Sequence, residues 1–505
     1  MKRELLLFFC CLCSMFISCS DGPGVLADKK VKEGYELSRK YCATCHLYPE
    51  ASMLDKKTWQ NHVLPKMAPY LGFQLFAGSY MANDSGSIIT IEQWNNIQRY
   101  FISEAPEEPL KRSKDIDIAN ETSLFSETPF DHNIESPSTT LVLIDSSKKR
   151  ILFGDGMIGK LYVLSQQLQV TDSINVGTGL AHVRMKDNEY WMLTMGVMHP
   201  SDERSGTLLI GKDRDTVATK LLDSLQRPVN ATYADLNNDG KEDIVLSEFG
   251  DRYGALSWFE MGGTNQYRKH LLRALPGAIK TMVTDLNHDG KPDIVALMAQ
   301  GDEGIFIYYN NGNGSFEEKR ALRFPPSYGS NYFELADFNG DGFPDIITSN
   351  GDNGDYPPIL KRYHGIRIFL NNGHNEFEEK TFLPVNGIGK VIARDFDNDG
   401  DLDLASIAYF ADFRNKPAEA FIYWENNGKG EFKASTIKNV LQGRWITMDA
   451  GDYDGDGDLD IVLGNADFRL GDIPAELKKK WDSYSPSLLI LQNNLHRSHE
   501  EKRKQ

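Results

Sequence analysis

Asp235-Leu-Asn237-Asn-Asp239-Gly240-Lys-Glu-Asp243 places oxygen-bearing side chains at positions 1, 3, 5 and 9 of a nine-residue stretch, with glycine at position 6. The spacing returns as Asp285-Leu-Asn287-His-Asp289-Gly290-Lys-Pro-Asp293 and Asp337-Phe-Asn339-Gly-Asp341-Gly342-Phe-Pro-Asp345. Two further copies are Asp395-Phe-Asp397-Asn-Asp399-Gly400-Asp-Leu-Asp403 and Asp452-Tyr-Asp454-Gly-Asp456-Gly457-Asp-Leu-Asp460. A hard cation takes six to eight oxygens, and this spacing curls the chain so that they converge; position 7 would add its carbonyl. Five Ca²⁺ sites are therefore expected. Without a cation the carboxylates of each loop would repel one another.

An EF-hand is the obvious competitor and fails twice. Its twelfth position should be a bidentate glutamate, but these loops offer Leu246, Ala296, Thr348, Ser406 and Leu463. Its loop should open a helix, whereas here apolar β-branched runs such as Ile244-Val245-Leu246 and Ile294-Val295-Ala296 follow, which predict buried strands.

The loops recur every 50 to 58 residues. A period of that length holding several short strands predicts propeller blades. In these features the chain resembles the FG-GAP/VCBS repeat family, whose calcium-bearing blades occur in integrin alpha-subunit propellers. It departs from that family in keeping Phe-Gly only at Phe153-Gly154 and Phe249-Gly250. Upstream, Leu141 to Leu164 and Ala181 to Ile210 read as two blades without the acidic loop, with Asp145-Ser-Ser-Lys-Lys-Arg and Lys186-Asp-Asn-Glu at the corresponding turns. Seven blades over 125–495 are predicted, with six or eight as alternatives. A segment near Ser123 to Phe130 would complete the last blade and remove both sheet edges.

The N-terminus has a different character. Lys2 and Arg3 precede an apolar run from Leu5 to Ser18, too short to span a bilayer and predicting a signal peptide over 1–18. Ile17-Ser18-Cys19 resembles a bacterial lipobox, which implies lipidation of Cys19 and a tether over 19–28 on a membrane of the cell envelope. Phe16 stands where that motif usually has leucine. Of six cysteines, Cys10, Cys11 and Cys13 would leave with the signal, so only Cys42 and Cys45 await a role.

Cys42-Ala-Thr-Cys45-His46 is the Cys-x-x-Cys-His pattern of covalent haem attachment, in which the thiols add to the haem vinyl groups and the histidine reaches the iron. A zinc site would need a second ligand pair, and a thioredoxin-like pair would need a βαβ surround. Thr90 and Gln93 form a capping box for a helix with Ile91, Trp94, Ile97 and Phe101 at helical spacing. With Gly34-Tyr35 on the preceding helix, residues 29–106 resemble a cytochrome c domain. The resemblance implies haem c, with a glycine and an aromatic of the first helix packed on the last. Met67, flanked by Pro65 and Pro69, is the expected distal ligand; Met81, Met53 and His62 are its rivals. The fold class is multidomain: a small all-α cytochrome c domain, a Pro- and charge-rich linker or wrap-around segment over 107–124, an all-β propeller, and a charged tail over 496–505.

Lys+Arg is 55 and Asp+Glu is 72, a formal charge of -17 that argues against nucleic acid as a partner. Gly154-Asp-Gly156-Met-Ile-Gly159 matches a dinucleotide fingerprint but runs into a strand, so a hairpin turn is predicted. Arg227, Asn331, Tyr332, Lys390, Arg444 and Trp445 lie on segments entering the presumed innermost strands and read first as ordinary loop residues; if those strands line the central channel, they would instead cluster at one mouth. The leading expectation is a membrane-anchored electron carrier whose propeller docks a redox partner protein. Beside it stand a periplasmic oxidoreductase whose propeller binds a small molecule and uses the haem as acceptor, and an adhesion or glycan-binding module.

Overall fold

The computed structural model describes residues 28–495 apart from 83–85, 133, 264–265, 355–357 and 469. The expected signal peptide, Cys19 and the charged tail lie outside the described residues.

Seven antiparallel sheets follow one another around a ring. The first six blades begin with the strands Thr139–Asp145, Leu180–Lys186, Pro228–Ala234, Ala278–Thr284, Ser330–Ala336 and Ile388–Arg394. The seventh begins with Trp445–Gly451. All five acidic loops join the first strand of a blade to its second, in blades three to seven. The second strands Asp243–Glu248, Asp293–Met298, Asp345–Asn350, Asp403–Ala408 and Asp460–Asn465 are buried at every residue. That is why they read as continuous apolar runs rather than alternating ones: each face is covered by a neighbouring blade. In blades one and two the same turn is made by Ser146–Lys148, ended by Lys149 at positive φ, and by Asp187-Asn188, both at positive φ. The Gly154–Gly159 segment is a hairpin turn, its Asp155 carboxylate accepting from the backbone N–H groups of Met157 and Ile158.

The ring closes with chain from before the first blade. Phe125–Phe130 pairs antiparallel with Leu488–Asn493, completing blade seven. Phe125 meets Phe396 and Tyr423 edge-on. Val142, Ile144, Ile151 and Phe153 of blade one then pack with Val462, Leu488 and Ile490 of blade seven in one buried cluster.

The expected linker is built into the propeller. Ile118–Glu121 adds a fifth, parallel strand to blade six beside Phe432–Thr436. Arg112 donates to the buried Glu419 carboxylate at 2.8 Å, and Lys416 pairs with Asp115. Charge and proline content therefore did not make a free spacer here; the wrap-around reading is the one that holds.

Residues 28–105 form a separate helical core of which Trp59, Leu64, Phe73, Trp94, Ile97 and Phe101 are part. The helix Lys29–Tyr41 starts at an Asp28 cap, and Ile91–Glu104 starts at the Thr90/Gln93 capping box with both hydrogen bonds made. Trp94, Ile97 and Phe101 are buried as their spacing requires, but Ile91, in the first turn, is exposed. The two helices touch at Gly34, where an added Cβ would lie 1.9 Å from the Asn96 carbonyl oxygen. Tyr35 packs on Tyr100 with ring centroids 5.2 Å apart. A hairpin of Phe73–Phe76 and Ser79–Ala82, not foreseen from the sequence, lies between the helices in the chain. Met53 ties this core to blade five: its carbonyl accepts from the Tyr363 hydroxyl at 3.2 Å and its sulfur from Ser327 at 3.6 Å.

The atom facing Gly34 is backbone and cannot swing aside. Gly34→Ala is expected to force the helices apart and cost about 1–3 kcal/mol. Denaturant unfolding followed by far-UV circular dichroism would show the helical signal lost earlier while the propeller transition stays put.

Candidate functional site: five acidic loops and a cysteine-bearing helix end

Each acidic loop is wound by its own carboxylates. In the first, Asp235 accepts from the N–H groups of Asp239 and Gly240, Asn237 accepts from Asp239, and Asp239 accepts from Lys241. The loops beginning at Asp285, Asp337 and Asp395 repeat the pattern, and Asp452 tightens it by one residue onto Gly455. Positions 4 and 6 are left-handed throughout, which accounts for Asn238, His288, Gly340, Asn398 and Gly455 at the fourth position.

The ninth-position aspartate does a second job. Asp243, Asp293, Asp345, Asp403 and Asp460 are fully buried. One oxygen of each accepts from the second loop residue, at Leu236, Leu286, Phe338, Phe396 and Tyr453. The other accepts from the N–H of Met261, Asn310, Asn371, Asn426 or Asn493, at or near the end of the third strand. Burial raises all five carboxyls above the usual range, and nearby loop aspartates add to this; Asp403 and Asp460 are pushed up to about 7.

The donor set fits a hard divalent cation. Carboxylate oxygens of Asp395, Asp397 and Asp399 lie within 4.8 Å of one another, as do those of Asp452, Asp454 and Asp460. Burial, then Asp399, raises Asp397 to about 6. The loops are not equal. In blades three and four, Lys241 and Lys291 donate to Asp239 and Asp289, holding those carboxyls below their usual range. In blades six and seven the seventh position is Asp401 or Asp458. Internal lysines partly neutralise the first two loops, so the loops of blades six and seven hold the densest uncompensated negative charge.

At the other candidate site, Cys42 is half-buried against the helical core and Cys45 is exposed, on the turn that ends Lys29–Tyr41. His46 follows with Nδ1 2.9 Å from the Leu47 carbonyl oxygen. Burial first, and Cys45 second, push the Cys42 thiol up to about 12. A thioredoxin-like nucleophile needs the opposite shift. Among the described residues nothing around Cys42 favours its thiolate, so the pair lacks the activation of a thioredoxin-like dithiol. Met67 is half-buried at the end of the short helix Leu64–Met67, between Leu64 and Ala68 of the helical core. Met81 is exposed on the hairpin, His62 half-buried, and Met53 already engaged with blade five.

Of the six residues entering the first strands, three have local partners, as ordinary loop residues do. Arg227 donates to the Met198 carbonyl, Arg444 lies on Tyr409, and Trp445 donates to the Val440 carbonyl. Tyr332 and Lys390 do meet, together with Lys280, whose ammonium sits 3.5 Å from the Tyr332 ring centroid. Glu334 and Asp449 are the acidic groups beside Lys280 and Lys390. Lys280, Glu334 and Asp449 went unnoticed in the sequence, although alternation along the first strands carried the signal.

The repeats are matched by a family model described as FG-GAP-like repeat at residues 235–296, 285–348 and 408–463. The chain carries FG-GAP-like repeats within a seven-bladed β-propeller. It is 30% identical over 169 residues to cartilage acidic protein 1 of Mus musculus, covering 32% of this chain and 25% of that protein. It is 31% identical over 181 residues to the Xenopus tropicalis protein of the same name, again covering 32% and 25%. The matched part thus spans about a quarter of these relatives' length. Among solved structures, that of Saccharomyces cerevisiae Sqt1 is similar at a TM-score of 0.42 and 10% identity, covering 70% of this chain and 83% of that one.

Metal analysis of the folded chain in calcium is expected to find about five ions; fewer than three would contradict the reading of the loops. Chelation is expected to lower the melting temperature by several degrees, since a ligand at a hundred times its Kd stabilises by about 2.7 kcal/mol. Asp397→Asn and Asp454→Asn should lose the most tightly held ions, whereas Lys241→Met should tighten its site.

Proposed function

We propose that this chain is an exported electron carrier of the bacterial cell envelope, with a c-type haem on Cys42, Cys45 and His46 and a calcium-braced propeller as its docking platform. Bound haem would supply reversible one-electron chemistry. The observation that carries this reading is the cysteine pair at a solvent-facing helix end, on a helix whose Gly34 and Tyr35 pack against the closing helix Ile91–Glu104. Cys42 and Cys45 would hold the haem covalently, and His46 and Met67 are the residues proposed to ligate its iron.

In this reading the acidic loops take no part in the redox chemistry. They hold the first, second and third strands of each blade in register and keep the platform rigid. Cys19 would carry lipid and hold the protein at a membrane. No described helix is long and apolar enough to cross one. The propeller would present a redox partner protein with a surface fixed to the haem domain through Met53, Ser327 and Tyr363.

Protein expressed with functional haem-attachment machinery is expected to be coloured and to give the pyridine haemochrome of thioether-bound haem in a one-to-one ratio. The Cys42→Ser, Cys45→Ser double variant should be colourless, with calcium content and propeller melting unchanged. Colourless wild-type protein from that host would sink the electron-carrier reading.

A further inference from the structure

The first strands of the seven blades touch one another in turn around the ring, so they line its central channel. In blades two to seven a bulge leaves the second residue of this strand unpaired with the next strand. The first and fourth residues are buried, and the third is half-buried. Those third residues are His182, Asn230, Lys280, Tyr332, Lys390 and Thr447. They meet across the axis. His182 of blade two feels the charges of Lys280 in blade four and Lys390 in blade six, neither of them its neighbour in the ring.

Lys280 is the group left over. Its ammonium lies over the Tyr332 ring and is open to water, but it donates to none of the described residues. Lys390, 4.9 Å from the same ring centroid, gives one proton to the Met448 carbonyl at 2.6 Å and keeps two. The nearby acids are engaged elsewhere. Glu334 accepts from the Tyr332 hydroxyl, the Ala393 N–H and Arg394, and Asp449 accepts from the Ile144 N–H. Among the described residues neither acid forms an ion pair with Lys280 or Lys390. Burial lowers the Lys280 ammonium to about 7; Glu334 and Asp449 oppose that fall, and Lys390 and Arg394 deepen it. Burial, then Lys280, Lys390 and Arg184, lowers His182 to about 4, so its imidazole is neutral. Asn230 Nδ2 lies 3.5 Å from His182 Nδ1, which leaves the ring proton on Nε2, open to water and able to donate.

The charges specify the ligand. Arg394 is matched by Glu334, and Arg184 by Glu242 through hydrogen bonds of 2.8 and 2.7 Å. Lys280 and Lys390 then face Asp449 alone, an excess of one positive charge when Lys280 is protonated. A carboxylate brings the single negative charge that cancels it and favours the protonated form of Lys280. A phosphate dianion would bring a second negative charge against Glu334 and Asp449, and a neutral polyol would leave the excess unmet.

We propose that the central channel of the propeller binds a small carboxylate, with Lys280 and Lys390 holding its charge and His182 donating to its body. The site stands whether or not haem is attached. Titration calorimetry on the full chain with acetate, lactate, glucuronate, glucose and phosphate tests it. At least one of the three carboxylates is expected to bind, more tightly than glucose or phosphate. Lys280→Met keeps the length of the stem and removes a charge that is costly to bury, so the melting temperature should not fall. The same variant should weaken carboxylate binding at least about tenfold. Lys433→Met, on an outer strand where the ammonium pairs with Glu425, should bind as the wild type does. So should the colourless Cys42→Ser, Cys45→Ser variant, which separates this site from the haem. Absence of binding by all three carboxylates, tighter binding of glucose or phosphate than of any carboxylate, or wild-type affinity in Lys280→Met would each overturn the proposal.

Discussion

The propeller is organised by a buried aspartate that accepts two backbone hydrogen bonds from two different directions. In five blades the ninth loop residue sits at the start of the second strand, takes one N–H from the loop that leads into it and one from at or near the end of the third strand. Three chain segments are thereby fixed to a single carboxylate. Burying a charge is costly unless it is hydrogen-bonded or neutralised nearby. The residual cost falls on the same few ångströms where the remaining loop carboxylates gather. Strand register and the demand for a cation are thus one constraint: the group that sets the geometry also makes the loop electrostatically incomplete.

That constraint explains the pattern of difference among blades. Blades one and two lack the acidic loop and make the same turn with Ser146–Lys148 followed by left-handed Lys149, or with left-handed Asp187-Asn188. Blades three and four pair a loop aspartate with a lysine two residues on. Blades six and seven put a fifth acidic residue of the loop there instead. The ring therefore grades from turns without the acidic loop to turns of concentrated negative charge, and the most acidic ones belong to the last two blades before the closure.

Much of this was legible in the chain. The loops at Asp235 through Asp460 announced their turns because their spacing serves a local need, and the buried second strands were plain because both faces are covered. The Thr90/Gln93 box was equally local, whereas the packing of Gly34 and Tyr35 on the last helix came from the resemblance to cytochrome c and not from spacing. What stayed hidden was long-range. Arg112 looks like an ordinary linker charge until Glu419, more than three hundred positions away, is brought beside it. Ile118–Glu121 has no alternation to mark it as a strand, because its partner is supplied by blade six. Arg444 offered only its place before a first strand, and only the fold shows it stacked on Tyr409.

The strand Phe125–Phe130 carries a consequence for biosynthesis. It leaves the ribosome more than three hundred residues before Leu488–Asn493, the partner it must meet. Throughout that interval the nascent chain holds an unsatisfied strand and an open first blade, both apt templates for mispairing with other chains. Ring formation must wait for the third strand of blade seven, and ribosomal stalling within that blade before it would release a polypeptide with six blades made and the ring still unlocked.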